Sequence, residues 1–219
     1  MGTCNVAQNE VGGKDMFLKK CVAASAASTA SSATLTSVAH GAKVGDLVKF
    51  TGTIGSNTTI NTTNYYFVKA VLGVDTYTIA ATPGGAAIVL DDTEAAMPID
   101  IFKNVGGIRG KSASFSSEGI DITNQDSDQW QTMLDGAGIR SCEFSGDGVY
   151  TNEAIAKAFE DDFLGNSLTC LALVEAKSGR VYAGCFKITS IEVGGSFDGE
   201  GTFSMSASSS GPIAAFRAA

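Results

Sequence analysis

At 219 residues the chain accommodates one domain, or one domain carrying a smaller inserted one. Hydrophobic residues at 44% allow a real core, and 26 Gly against 3 Pro, with few charges, suit β-strands joined by tight turns. The net charge of −8 is uneven: residues 1–99 carry 6 basic and 7 acidic groups (net −1), residues 100–219 carry 9 and 16 (net −7). That balance excludes a protein that grips nucleic acid by replacing phosphate counterions with Lys and Arg.

Residues 1–14 are polar and contain Gly, and read as a flexible arm without the apolar stretch of a signal peptide. No apolar run approaches the ~18 residues of a membrane span, so no membrane partner is expected. Asp15–Val22 (DMFLKKCV) is a predicted strand. Ala23–Ala33 is low-complexity Ala/Ser, open between a linker and an extended lead-in to a strand. Asp46–Thr51, Tyr66–Leu72 and Thr76–Ala80 are predicted strands rich in Val, Tyr, Phe and Thr, separated by the polar loop Thr53–Asn64 and the turn at Pro83-Gly84-Gly85. Met97–Lys103 returns to a main body. Residues 24–96 therefore read as an inserted small β domain, and residues 1–23 with 97–219 as the body that carries it.

Further on, Gly106-Gly107-x-x-Gly110 reads as a turn, since it lacks the Lys-Ser/Thr of a phosphate loop. Ser112–Asn124 reads as a hairpin. The D-x-x-Q spacing at Asp126–Gln129 predicts a short helical turn over Gln129–Leu134, with Trp130 as a core anchor or, on a second reading, an interface residue. Asn152–Gly165 is the predicted helix, with Ile155, Phe159 and Phe163 in one apolar stripe. Asn166–Ala176, Arg180–Val193 and Ser196–Ser209 are predicted strands, turned at Lys177-Ser178-Gly179 and at Gly194-Gly195. The last ten residues read as a tail able to reach a neighbouring subunit.

Candidate chemistry is sparse. His40 is the single histidine and reads as a surface loop residue, with no G-x-S-x-G elbow to serve. The acids Glu160, Asp161 and Asp162 read as a solvated helix face, and Asp121, Asp126 and Asp128 lack EF-hand spacing. Asn57 and Asn61 begin glycosylation sequons that read as loop chemistry. The five cysteines, Cys4, Cys21, Cys142, Cys170 and Cys185, form no C-x-x-C pair, which argues against a zinc site or a disulfide framework. Cys142, Cys170 and Cys185 read as reduced core residues. No catalytic residue, cofactor or metal is expected.

The order of parts carries more information than any one residue. A strand K-S-x-S-F-S-x-E (Lys111–Glu118) precedes I-D-I-T-N (Ile120–Asn124). A polar stretch with Trp130 leads to L-x-G-A-G (Leu134–Gly138) and S-x-x-F-S-G-D-G-V-Y (Ser141–Tyr150), and a helix follows. Then come F-K-I-T-S-I-E-V-G-G (Phe186–Gly195) and F-D-G-E-G-T-F-S-M-S-A-S-S-S-G (Phe197–Gly211). This order resembles the major tail protein family of long-tailed bacteriophages and gene transfer agents, over residues 100–213 and loosely over 15–22. Residues 24–96 and the Gly-rich hairpin Gly199–Gly201 depart from it. The segment around V-G-D-L-V-K-F-T-G-T resembles, more weakly, a small β-barrel-like module inserted in phage structural proteins.

The resemblance implies a mainly β protein: a two-sheet sandwich or barrel with one flanking α-helix, plus the inserted β domain. It implies six subunits closing into a ring, rings stacked into the tail tube of a virion assembled in the host cytoplasm, and DNA passing through without specific binding. The partners implied are the chain itself and other tail proteins (tape measure, terminator, distal tail protein). An acidic wall would let DNA slide by weak repulsion, though the acids equally confer solubility. The segments expected to assemble are the Gln8–Lys14 arm, the Ser112–Asn124 hairpin and Phe203–Phe216. Their expected interface residues are Lys14, Phe115, Ile120, Ile122, Trp130, Phe203, Met205 and Phe216. The alternatives are another ring-forming tail or secretion-tube component, and a monomeric β-sandwich that binds carbohydrate or a cell surface.

Overall fold

The computed structural model describes residues 16–106, 108–125, 127, 130–149, 154–175, 179–195 and 199–217. The arm containing Lys14 lies outside the described residues. Twelve strands and one helix occur among them, and every strand pairing is antiparallel. The chain divides into two compact units.

The first unit comprises residues up to 106 together with 170–183 and the C-terminal 214–219. It holds β1 (Met16–Ala26), β2 (Thr34–Thr36), β3 (Leu47–Phe50), β4 (Tyr65–Val71), β5 (Thr76–Ala80) and β6 (Met97–Asn104). It also takes most of β9 (Leu168–Glu175), the start of β10 (Arg180–Gly195) and β12 (Ala214–Arg217). Its strand order is β2-β5-β4-β3-β6-β1-β9-β10, with β12 pairing β10. β1 continues to Ala26, so the Ala/Ser segment starts as a strand: small side chains at Ala23–Ala26 face Asp100–Met97 of β6 without crowding.

Phe50, Tyr77, Ile79, Leu35, Leu90 and Met97 are fully buried in one cluster. At about 1.5–3 kcal/mol per buried large side chain, this cluster supplies the main drive for folding residues 34–101. A second cluster gathers Leu47, Phe67, Phe102, Ala172, Val174, Val181 and Ala183, with Phe216 packed against it. The expected free tail is thereby corrected. Ala214–Arg217 pairs with Ala183–Arg180 of the same chain, and the Phe216 ring stacks on Tyr65 with centroids 5.0 Å apart.

His40 is buried rather than on the surface. Its ring lies 4.7 Å from that of Tyr77, and its Nδ1 accepts from the Ala42 N–H at 3.0 Å. The other ring nitrogen, Nε2, lies 3.3 Å from the Gly73 carbonyl, so both sides of the ring meet loop backbone. Asn57 is likewise buried: its amide donates to the Ile54 carbonyl at 2.8 Å and its oxygen accepts from the Asp92 N–H at 3.1 Å.

The second unit comprises residues 107–169 and 184–213. It holds β7 (Ile108–Ser117), β8 (Arg140–Val149), α1 (Ala154–Leu164), the remainder of β10 and β11 (Gly201–Ser209), in the strand order β10-β11-β8-β7. β11 alternates strictly: Phe203, Met205 and Ala207 are buried, while the residues between them are partly exposed. Cys142 and Phe144 of β8 and Phe186 and Ile188 of β10 are buried too, and the Phe144 and Phe186 rings stack at 4.3 Å. Burial pushes the Cys142 thiol up to about 11, as expected for an inert core cysteine.

On α1, Phe159 is fully buried whereas Phe163 is exposed, so the apolar stripe is only partly used; the side chain of Ile155 lies outside the described residues. Cys185 is exposed, which corrects its assignment to the core. Gly194 and Gly195 lie within β10, paired with Thr202 and Gly201, so the dipeptide is strand and not the turn expected there.

Candidate assembly interface

The largest group of exposed apolar side chains described in the second unit lies between Glu118 and Ile139. β7 and β8 pair from Ile108↔Gly148 to Ser117↔Arg140. Beyond that ladder the two segments stay together. The Glu118 N–H donates to the Ile139 carbonyl at 2.9 Å, the Leu134 N–H to Ile120 at 2.9 Å, and the Ile122 N–H to Thr132 at 2.9 Å. Asp121 and Met133 form a bridge. Residues 118–125 and 130–139 are thus the two limbs of an arm continuing β7 and β8.

This corrects two expectations. Ser112–Asn124 is not a hairpin by itself: Ile108–Ser117 is one strand whose partner is β8. The helical turn expected over Gln129–Leu134 is not found at residues 130–134, where Thr132 and Leu134 bond across to Ile122 and Ile120, and Gln129 lies outside the described residues. The bonds between the two limbs satisfy backbone groups that a helix would have paired internally.

Polar side chains fix the arm. The Asp121 carboxylate accepts from the Thr123 N–H at 2.8 Å and the Thr123 hydroxyl at 2.5 Å, and from the Gln131 amide at 3.1 Å. These bonds, Thr123 foremost, hold the carboxyl below the usual range. At the base, Gly138 has φ +105, and a Cβ there would lie 1.7 Å from the Glu118 carbonyl oxygen. Only glycine permits that closure.

The arm's apolar side chains are turned to solvent: Ile120, Ile122, Met133, Leu134, Ile139 and, at 79%, Trp130. Trp130 is therefore not a core anchor. Phe115, on β7 below the arm, is 54% exposed. β7 is itself an edge, paired to β8 alone among the described residues, and the backbone groups of alternate residues along its ten-residue length point away from β8. Its outward residues are mostly Ser, with Ser112–Ser145 and Ser116–Ser141 hydroxyl pairs at 2.7 Å across to β8. An ion pair from Arg109 to Glu200, bidentate at 2.6 and 3.0 Å, joins the start of β7 to the start of β11.

The expected interface residues thus separate into groups. Phe115, Ile120, Ile122 and Trp130 are brought together on β7 and its arm. Phe203 and Met205 are buried within the second unit, and Phe216 is engaged by Tyr65 in the first. Met133, Leu134 and Ile139 belong with the arm residues and were missed. The helical reading covers Met133 and Leu134, and Ile139 follows a Gly-rich stretch, so no local pattern marks the three as one face. A cleft of about 450 Å³ in the first unit, between Val22–Ala27 and Thr36–His40, is lined chiefly by small side chains and brings no acid–base pair together. No described helix is long and apolar enough to cross a membrane.

An edge strand beside an exposed apolar arm, on an antiparallel β body with no assembled catalytic group among the described residues, is the surface of a structural subunit rather than a reaction centre. The family model for phage tail tube proteins matches residues 81–215, and the chain belongs to that family. The match begins inside the segment read as an insertion. Among solved structures, a chain of the native gene transfer agent virion is 29% identical, with a TM-score of 0.50, over 52% of this chain and 88% of that one. A chain from the tail of an empty gene transfer agent particle, refined helically with C6 symmetry, is 30% identical, with a TM-score of 0.49, over 52% of this chain and 84% of that one. No curated protein matches the chain.

Proposed function

We propose that this chain is the ring-forming subunit of a tail tube: six copies close into a ring, and rings stack into a conduit for DNA in a phage or gene-transfer particle. The observation that carries this reading is the family match over residues 81–215. The free edge of β7 and its apolar arm support it, because ring closure pairs unpaired edges and stacking covers exposed apolar side chains. The work is mechanical, and no residue is assigned a catalytic role.

Residues 24–96 form the exterior domain of this proposal, with β2–β5 away from the lumen. Interface roles fall to Phe115, Ile120, Ile122 and Trp130 directly. Phe203, Met205 and Phe216 act by holding their strands in place, and Lys14 acts from the N-terminal arm. Tape measure, terminator and distal tail proteins are the further partners, and assembly takes place in the host cytoplasm before incorporation into the virion tail.

Negative-stain electron microscopy of the purified protein tests this reading. Six-fold rings or hollow tubes with outward knobs are the expected result. Replacing residues 120–137 by a short turn that keeps the β7–β8 ladder should leave folded subunits that no longer stack. Monodisperse particles at high concentration, even with a tail initiator or tape-measure protein present, would overturn it in favour of a monomeric surface-binding module.

A further inference from the structure

Three strands of the first unit bring together side chains that are far apart in sequence. The antiparallel register that sets Lys20 opposite Leu171 carries Cys21 to Cys170 on the adjoining strand. On the other side of β1, Cys21 pairs with Phe102 and Ala23 with Asp100, so Asp100 is the diagonal neighbour of Cys21. Cys21, Cys170 and Asp100 are all partly buried, and their Sγ and carboxylate oxygen atoms lie within 4.8 Å of one another. Phe102 pairs with Cys21 across β1 and β6, its ring lies 5.7 Å from that of Tyr65, and Tyr65 stacks on Phe216. Lys49 pairs with Asp100 across β3 and β6, with its Nζ 5.0 Å from the Tyr65 ring centre.

From this geometry we propose that Cys21, Cys170 and Asp100 form a binding site for a thiophilic divalent cation of the zinc class, which staples β1, β6 and β9 together. Two sulfurs and one carboxylate oxygen are a donor set suited to that ion, with water completing a tetrahedron. Zinc–sulfur bonds of about 2.3 Å need ligand atoms about 3.7 Å apart, a contraction within the reach of side-chain rotation. Binding releases the two thiol protons, leaving two thiolates and a carboxylate around a 2+ ion. Lys49 offsets the remaining single negative charge. Aromatic rings at the rim lower the local dielectric and strengthen each ligand bond. The absence of any C-x-x-C motif does not bear on this site, because its ligands come from three strands rather than from one knuckle.

The test uses the full chain, purified under a phosphine reductant that keeps the thiols reduced without competing strongly for metal, with Zn²⁺ alone as the probe. The expected result is one zinc retained per chain after desalting. Co²⁺ in its place should give thiolate-to-cobalt charge-transfer absorption, and added zinc should raise the melting temperature. Cys21→Ser and Cys170→Ser should each abolish retention, and Asp100→Asn should weaken it at least about tenfold. Cys142→Ser and Cys185→Ser should retain zinc as the parent does. Circular dichroism of the metal-free variants checks that they are folded. Zinc that washes out of the folded parent, or that stays equally in Cys21→Ser and Cys170→Ser, overturns the proposal. So does a Cys21–Cys170 disulfide whose reduction yields no zinc affinity, which would make the pair a redox couple.

Discussion

Lys19 and Asp46 form an ion pair inside the first unit: Nζ and Oδ1 are 2.7 Å apart, and each side chain is 3% exposed. Lys19 also donates to Asn104 Oδ1 at 2.6 Å, and the second Asp46 oxygen accepts from the Lys43 N–H at 2.7 Å. Burial pushes the lysine below its ordinary range, and Asp46 draws it part of the way back. Removing one partner leaves a buried charge without its counter-ion. Asp46→Ala should destabilise the chain by about 3–5 kcal/mol in denaturant titration, and Lys19→Met with Asp46→Leu should recover much of that loss.

Tyr77 presents the converse case. Its ring is fully buried and its hydroxyl has no hydrogen-bond partner among the described residues. Desolvation pushes the phenol well above its ordinary value of 10.0. Tyr77→Phe removes an unsatisfied polar atom without opening a cavity, so the variant should be unchanged or more stable by up to about 1 kcal/mol. The sign with pH follows: a folded-state value raised above the unfolded one contributes stability below pH 10.0 that is lost as pH rises. The stability difference between parent and Tyr77→Phe should therefore widen in the variant's favour above about pH 10, read by denaturant titration across that range.

The Phe144–Phe186 stack joins β8 to β10 across β11 in the second unit, and both rings are fully buried. Phe144→Ala should lose about 3–5 kcal/mol, the cost of a large aromatic cavity. Proteolysis should then open the second unit first, with cleavage sites inside residues 107–169 rather than 34–96.

Trp130 is the single tryptophan and is 79% exposed, so its fluorescence reports on the arm alone. The free subunit should emit at the wavelength of a hydrated indole, and assembly should shift that emission to the blue. Trp130→Ala should alter monomer stability by no more than about 0.5 kcal/mol while raising the concentration needed for assembly. An unshifted emission in tubes would remove Trp130 from the interface.

The sequence by itself determined the β class, the strands from Asp46 to Lys103 within a residue or two, the helix ending near Gly165, and the family. These follow from local signals: β-branched and aromatic runs, alternation, glycine turns and the order of motifs. Only the tertiary structure decided what depends on partners distant in the chain. His40 reads as a surface loop residue until strands and loops from elsewhere enclose it, and nothing local marks Lys19 and Asp46 as a buried pair. Trp130 reads as core, but no second layer among the described residues covers the arm. The last strand reads as a free tail until Ala183–Arg180 pairs with it. Cys21, Cys170 and Asp100 carry no shared motif, and strand register alone brings them together. Burial and juxtaposition are properties of the packed sheet, and a local window of sequence holds the preference of each residue without the identity of its neighbour.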